Sequence, residues 1–167
     1  MISVASATSR EDFDTAAGLC HALGEWDVIA AQPFGISREE ILALFHAETS
    51  GSLATRFSAA DAKILIARWE TSPAGCLAFK PFDDEAMELH KFFVDPRFRG
   101  KGVGRELMRS ALAEVAGGHR RKVVLHTTPY MKSAVSIYES FGFTPCPRFR
   151  RTPDSVSHTD LFMSREI

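Results

Sequence analysis

Glu88-Leu-His-Lys-Phe-Phe-Val-Asp-Pro-Arg-Phe-Arg-Gly-Lys-Gly-Val-Gly104 is the stretch from which the chain is best read. Phe92, Phe93 and Val94 form a β-prone run that stops at Asp95-Pro96. Proline holds the residue before it in extended geometry and removes a ladder donor, so a strand ends there. Glycines at 100, 102 and 104 follow, among Arg97, Arg99, Lys101 and Arg105. A helical pattern then runs from Glu106 to Ala116. Strand, glycine-rich basic loop and helix start together make an anion site. First-turn amides have no intrahelical partner, and the helix dipole favours negative charge.

The loop is neither of two common phosphate signatures. No Ser or Thr follows Lys101, as a P-loop requires, and the glycines are spaced G-x-G-x-G rather than G-x-G-x-x-G. What fits is Arg99-x-x-Gly102-x-Gly104. A second motif, Tyr138-Glu-Ser-Phe-Gly-Phe143, begins 34 residues after Gly104, with room for a helix, a strand and a short helix between them. Thr127-Thr-Pro-Tyr-Met131 precedes it.

Composition narrows the classes. The chain has 167 residues, 45% hydrophobic and 25% charged, which is the mix of one ordinary folded domain rather than a disordered segment. A net charge of −1 provides no basic field for nucleic acid. Cys20, Cys76 and Cys146 are odd in number and widely spaced, so reduced thiols are expected, and neither they nor the six histidines have metal-site spacing. No apolar run approaches the roughly 18 residues that span a bilayer, and the N-terminus lacks a basic head and long apolar stretch. A soluble cytoplasmic protein is expected, with no membrane partner.

Pattern along the chain predicts a mixed α/β architecture. A first strand falls over 2–7. Ser9 caps a helix expected to end at Gly24, and 25–36 reads as irregular, with Trp26 and Phe34 serving as core or as pocket lid. Ser37-Arg-Glu-Glu40 opens a second helix, and 49–60 reads as loop. Strands over 63–70, 75–79 and 87–94 form an antiparallel meander. A helix over 102–116, a strand over 123–127 and a short helix over 132–141 follow. A strand begins at Phe143, 145–157 is loop, and the last strand is 160–163. No linker divides 1–167, so a single domain is expected.

The paired motifs resemble those of the GNAT N-acetyltransferase superfamily, Arg/Gln-x-x-Gly-x-Gly/Ala followed by Tyr-x-x-x-Gly-Phe. Residues 85–145 are similar to a bacterial subgroup in detail, and the rest of the chain in layout only. The resemblance implies a single-domain α/β (α+β) fold whose sheet splays between the strands of Val94 and Val124. It implies acetyl-CoA as cosubstrate, no metal, and a small-molecule amine or peptide as acceptor, attacked directly in a ternary complex. Phe93 and Val94 would meet the pantetheine arm. The amides of Arg99, Gly100, Lys101, Gly102, Val103 and Gly104 would wrap the pyrophosphate, with Met131 and Ala134 lining the cofactor. Met131 departs from the family's common Asn. Tyr138 would be the general acid, with core packing as its other reading. Glu88 would be the general base, with His90 and His126 as alternatives. A homodimer through late strands is compatible with the resemblance, as is a non-catalytic acyl-CoA sensor. Arg148, Arg150 and Arg151, with His158 nearby, read as a solvated loop or as a clamp for an acidic substrate.

Overall fold

The structure is a computed structural model that describes residues 1–167. Strand β1 (Ile2–Ser6) leads into helix α1 (Arg10–Ala31). Ser9 and Asp12 form a reciprocal capping box at its start. The helix does not stop at Gly24. One glycine costs a helix only about 1 kcal/mol, and the two turns beyond it bury Asp27, Val28 and Ala31. Gly24 is also where the chain end of the next helix comes closest, since a Cβ there would stand 3.1 Å from His46 Cβ. Residues 25–31 are therefore helix rather than irregular, and 32–34 close it as a 3₁₀ turn.

Helix α2 (Arg38–Phe45) follows the expected Ser37–Glu40 box. The small polar run 49–60, expected as loop, instead holds helix α3 (Ser50–Arg56) and a two-residue strand β2 (Ser58–Ala59). Thr49 and Ser52 cap α3 reciprocally, and Leu53 and Phe57 are fully buried. Two apolar anchors outweighed the composition between them.

Strands β3 (Ala62–Trp69), β4 (Ser72–Pro81) and β5 (Ala86–Val94) form the antiparallel meander. Helix α4 (Val103–Ala116), strand β6 (Lys122–Thr127), helix α5 (Lys132–Ser140), strand β7 (Thr144–Pro145) and strand β8 (Leu161–Glu166) complete the chain. The sheet order is β1-β3-β4-β5-β6-β8-β7, with β2 beside β3 and only β5–β6 parallel. This is a mixed α/β sheet with helices on both faces.

One face packs against α4 and α5 through Leu77, Phe79, Met87, Leu89, Leu107, Met108 and Leu125, with Tyr138 in the same cluster. The other packs Ile64, Ile66, Cys76, Ala78 and Phe93 against α1 and α3. All three cysteines are free thiols.

Two irregularities shape β5. Cys76 pairs with Phe93 and Ala78 with His90, so Leu77 faces two residues, Lys91 and Phe92. This is a β-bulge, and Lys91 takes the positive φ of 55°. The bulge lies beyond His90, so Glu88 and His90 share one face and alternation is reset only afterwards. Secondly, β5 pairs with β6 only from Ala86–Lys122 to Leu89–Leu125. From His90 onward β5 has no partner on its β6 side, and the two strands splay.

At the far end of the splay Gly75 lies opposite Val94. A Cβ at Gly75 would stand 2.5 Å from the Phe93 carbonyl oxygen and 3.2 Å from Leu107 Cδ1. The backbone carbonyl cannot swing away as a side-chain tip would. Gly75→Ala is expected to destabilise the fold by about 1–3 kcal/mol, read as a lower urea midpoint. An unchanged midpoint would mean that β4 and β5 are not held this closely.

Candidate acyl-transfer site

Two clefts open into the splay. The first, of about 310 Å³, is lined by Phe92, Phe93 and Val94 of β5, the loop from Phe98 to Arg105, the start of α5 and two α1 residues, Leu23 and Trp26. The second, of about 510 Å³, is lined by Glu88, His90, Lys91 and Phe92 of β5, His126 and Thr127 of β6, Tyr138, and residues of α1, α3 and the 150s loop. Leu23, Phe92 and Met131 line both, so the clefts meet there.

The first cleft ends on the N-terminus of α4. Gly102 is the N-cap residue with φ 89°, and no side chain caps the helix. The first-turn amides are thus left for an external anion. Gly100 also has positive φ, at 75°. Gly104 is glycine for space: a Cβ there would stand 2.7 Å from Ile137 Cδ1 and 3.3 Å from Phe92 and Val94. Arg99 is not extended towards the loop. Its Nε donates to the Val94 carbonyl at 3.1 Å, and its guanidinium lies 5.4 Å from the Trp26 ring. Lys101 lies over Trp69. Val103 is buried under the loop. Met131 is the N-cap of α5 and accepts a weak bond from Thr127 Oγ1 at 3.8 Å. Ala134 lines the cleft one turn on.

The second cleft gathers the remaining predicted residues. Glu88 Oε2 lies 3.2 Å from His90 Nε2, and Arg150 reaches Glu88 at 2.5 Å. Burial pushes the Glu88 carboxyl up, but His90 and Arg150 more than offset it, leaving the group below the usual carboxylate value. Burial pushes the His90 imidazole below its ordinary value, with Glu88 opposing in part. At neutral pH Glu88 is therefore ionised and His90 neutral. Tyr138 is buried, 5.5 Å from Phe92 and 5.9 Å from Phe143 between ring centroids. Burial raises its phenol well above the normal value, so it remains a proton donor. His126 is turned to Asp160 at 2.8 Å and stacked on Phe162 at 4.4 Å. Tyr138 and His90 come from opposite faces of the sheet and share this cleft only because the strands part.

Several lining residues were not singled out from the sequence. Asp27 is buried between His46 Nε2 and the Tyr130 hydroxyl, each at 2.7 Å, and so ties α1 to the end of α2 and to the β6–α5 loop. Lys80, Arg56 and Glu48 also face the cleft. The strand pattern in the sequence ends at residue 79, so Lys80 gave no signal; its place opposite Glu88 comes from the β4–β5 register. The Arg-rich loop is anchored by Phe149, which packs edge-on to Phe82 and Phe162, and this turns Arg150 inward. Arg148 and Arg151 are exposed as a solvated loop predicts, with Arg148 3.5 Å from Asp160, and only Arg150 is drawn in.

The model of the acetyltransferase (GNAT) family matches residues 26–143, and the chain belongs to that family. Over 69 residues it is 36% identical to mycothiol acetyltransferase of Corynebacterium efficiens, a match covering 41% of this chain and 23% of that protein. Over 83 residues it is 39% identical to N-acetylaspartate synthetase of Danio rerio, covering 50% and 27%. The chain thus spans about a quarter of the length of these relatives. Among solved structures, PaiA N-acetyltransferase of Thermoplasma acidophilum, in complex with coenzyme A, superposes with a TM-score of 0.77 at 18% identity, over 100% of this chain and 99% of that one. A GNAT-family acetyltransferase of Staphylococcus aureus gives 0.73 at 16% identity, over 99% of both. These likenesses establish the fold.

Two predictions follow from the electrostatics and the loop. The unfolded His90 takes a proton near its ordinary value of 6.5, whereas the folded one resists it. Stability is therefore full above about pH 7.5 and falls as the medium is acidified through that value. Glu88, with its lowered value, adds a further loss at more acid pH. In His90→Gln the upper part of the decline should flatten; an identical pH profile would place a normal imidazole at 90. At Gly102, Asn and Asp impose the same left-handed strain and differ in charge. Gly102→Asp should weaken coenzyme A binding at least tenfold more than Gly102→Asn by calorimetry, and equal effects would detach the loop from the phosphates.

Proposed function

We propose that the chain, as one domain over 1–167, is an N-acetyltransferase that transfers an acetyl group from acetyl-CoA to a primary amine by direct attack. One observation carries this reading. A neutral imidazole and a protonated phenol, from opposite faces of the sheet, line one cleft that meets a second cleft ending on an uncapped helix start. The family membership and the coenzyme A held by the Thermoplasma protein support it.

In this reading the amides at the start of α4 hold the pyrophosphate, and the unpaired side of β5 from Phe92 to Val94 aligns the pantetheine. The thioester lies where Leu23, Phe92 and Met131 line both clefts. An alkylammonium of pKa near 10.4 sits about 3 units above neutral pH, so freeing its lone pair costs about 4 kcal/mol. His90 takes that proton. Glu88, 3.2 Å from the imidazole, stabilises its charged form, a better role than base for a carboxylate already paired with Arg150. As the new C–N bond forms and the C–S bond breaks, Tyr138 gives its proton to the departing thiolate, and the second proton shed by the acylated nitrogen restores the phenol. The acceptor lies among Glu88, Lys80, Arg56 and Arg150.

The test is amine-dependent release of free thiol from acetyl-CoA. Tyr138→Phe and His90→Gln should each lower kcat about 10²–10⁴-fold while coenzyme A binding changes little. Loss of binding alongside turnover in Tyr138→Phe would return the tyrosine to the core. Tight coenzyme A binding with no release across a broad amine panel would make the protein an acyl-CoA sensor.

A further inference from the structure

The wall of the acceptor cleft holds one cation, Lys80, that no carboxylate pairs with. Arg56, Lys80, Lys91 and Arg150 line it together with two carboxylates, Glu48 and Glu88. Glu48 is shared between Lys91 at 2.8 Å and Arg56 at 3.2 Å. Glu88 is taken by Arg150 at 2.5 Å and faces His90. Lys80 has no carboxylate within ion-pair distance, the nearest candidates being those already engaged. The cleft's other two acids are directed away from Lys80. Asp27 serves His46 and Tyr130, and Asp160 serves His126, Thr152 and Arg148.

Lys80 is also placed for a purpose that charge alone does not reveal. It stands directly opposite Glu88 in the β4–β5 register, so the two side chains leave the same face of the sheet, Cβ atoms about 5 Å apart. An anion received at Lys80 is therefore only a few bonds from whatever sits at Glu88 and His90. Partial burial together with Arg56 and Arg150 lowers the Lys80 ammonium, with Glu88 opposing in part. An incoming anion would relieve this repulsion.

Building on the acetyltransferase reading, we propose that the acceptor is an amino acid, an amine whose carboxylate lies within a few bonds of it and is received by Lys80 with Arg150. The internal Glu88–Arg150 pair decides between this and a plain amine. A plain ammonium that approaches Glu88 must displace Arg150 and leave it unpaired beside Lys80 and Arg56. A zwitterion exchanges one pair for two: its ammonium takes Glu88 while its carboxylate takes Arg150 and Lys80. The loop that carries Arg150 is fixed by Phe149 against Phe82 and Phe162, so the guanidinium is held at the cleft rather than lost to solvent.

The experiment pairs acceptors that differ only in this charge. The α-, β- and γ-amino acids are each compared with their methyl esters and with the amines lacking the carboxyl group, by thiol release from acetyl-CoA. A charge-assisted contact of this kind should favour the free acid by about 10- to 100-fold in kcat/KM. In Lys80→Met that preference should shrink by at least tenfold, mainly through KM. Coenzyme A titration of the variant checks that it is folded. Esters or simple amines turned over as well as the acids overturn the proposal while leaving the acetyltransferase reading intact. If no acceptor gives thiol release, calorimetric titration with the N-acetylated amino acids decides. Binding that Lys80→Met abolishes sustains the carboxylate site and sinks the acetyltransferase reading; no binding to the wild type overturns the carboxylate site as well.

Discussion

β5 pairs with β6 over Ala86–Leu89 and then leaves it. A continuous sheet is a wall: side chains on one face cannot meet those on the other, and each strand spends its backbone groups on its neighbours. Where these strands part, both restrictions lapse. Tyr138, packed with the α4–α5 face, and Glu88 and His90, on the α1–α3 face, line one cleft. The β6-facing side of β5 from His90 onward is free for a ligand. Parallel pairing gives way at the point where β5 must turn towards the glycine loop and β6 towards Thr128-Pro129, so both strands end in directions set by proline and glycine.

The bulge at Lys91 and Phe92 has a related effect. It resets the alternation after His90, which lets Phe93 enter the core beneath α1 and α3 while Phe92 and Val94 turn to the opposite cluster. Without it Phe92 would follow Glu88 and His90 on one face, and the two clefts would lose the residue that separates and joins them. Lys91 accepts a left-handed backbone for this, and its ammonium is tied to Glu48 and the Phe45 carbonyl. The strain is thereby offset by contacts that also close the α2–α3 wall of the cleft.

The glycine loop shows how one residue type answers two demands. Gly102 is required by backbone geometry, Gly104 by the approach of Ile137, Phe92 and Val94. Arg99, the charged member of the same motif, instead holds the end of β5 through the Val94 carbonyl and stacks on Trp26. What the loop presents to an anion is therefore uncapped amides rather than free side-chain charges, in keeping with the small worth of an exposed cation near a helix end.

Local signals carried much of this in the sequence. Capping boxes at Ser9 and Ser37, the Asp95-Pro96 stop, the glycines and the amphipathic run after Glu106 each depend on neighbours within a few residues, so strand and helix order could be read directly. Helix continuation past Gly24 and helix α3 could not, because burial of Val28, Ala31, Leu53 and Phe57 against distant partners outweighs weak local preference. The site divides in the same way. Motif spacing singled out the loop and Tyr138, which line the clefts, and alternation put Glu88 on the same face as His90. Arg150 at Glu88 and Asp27 between His46 and Tyr130 join residues 62, 19 and 103 positions apart, and the same packing leaves Lys80 without a carboxylate. Chain pattern determines which groups are present on which face of a strand or helix; only the packed fold decides which charges meet, which remain unpaired, and where the sheet opens, because those outcomes depend on the sum of long-range contacts.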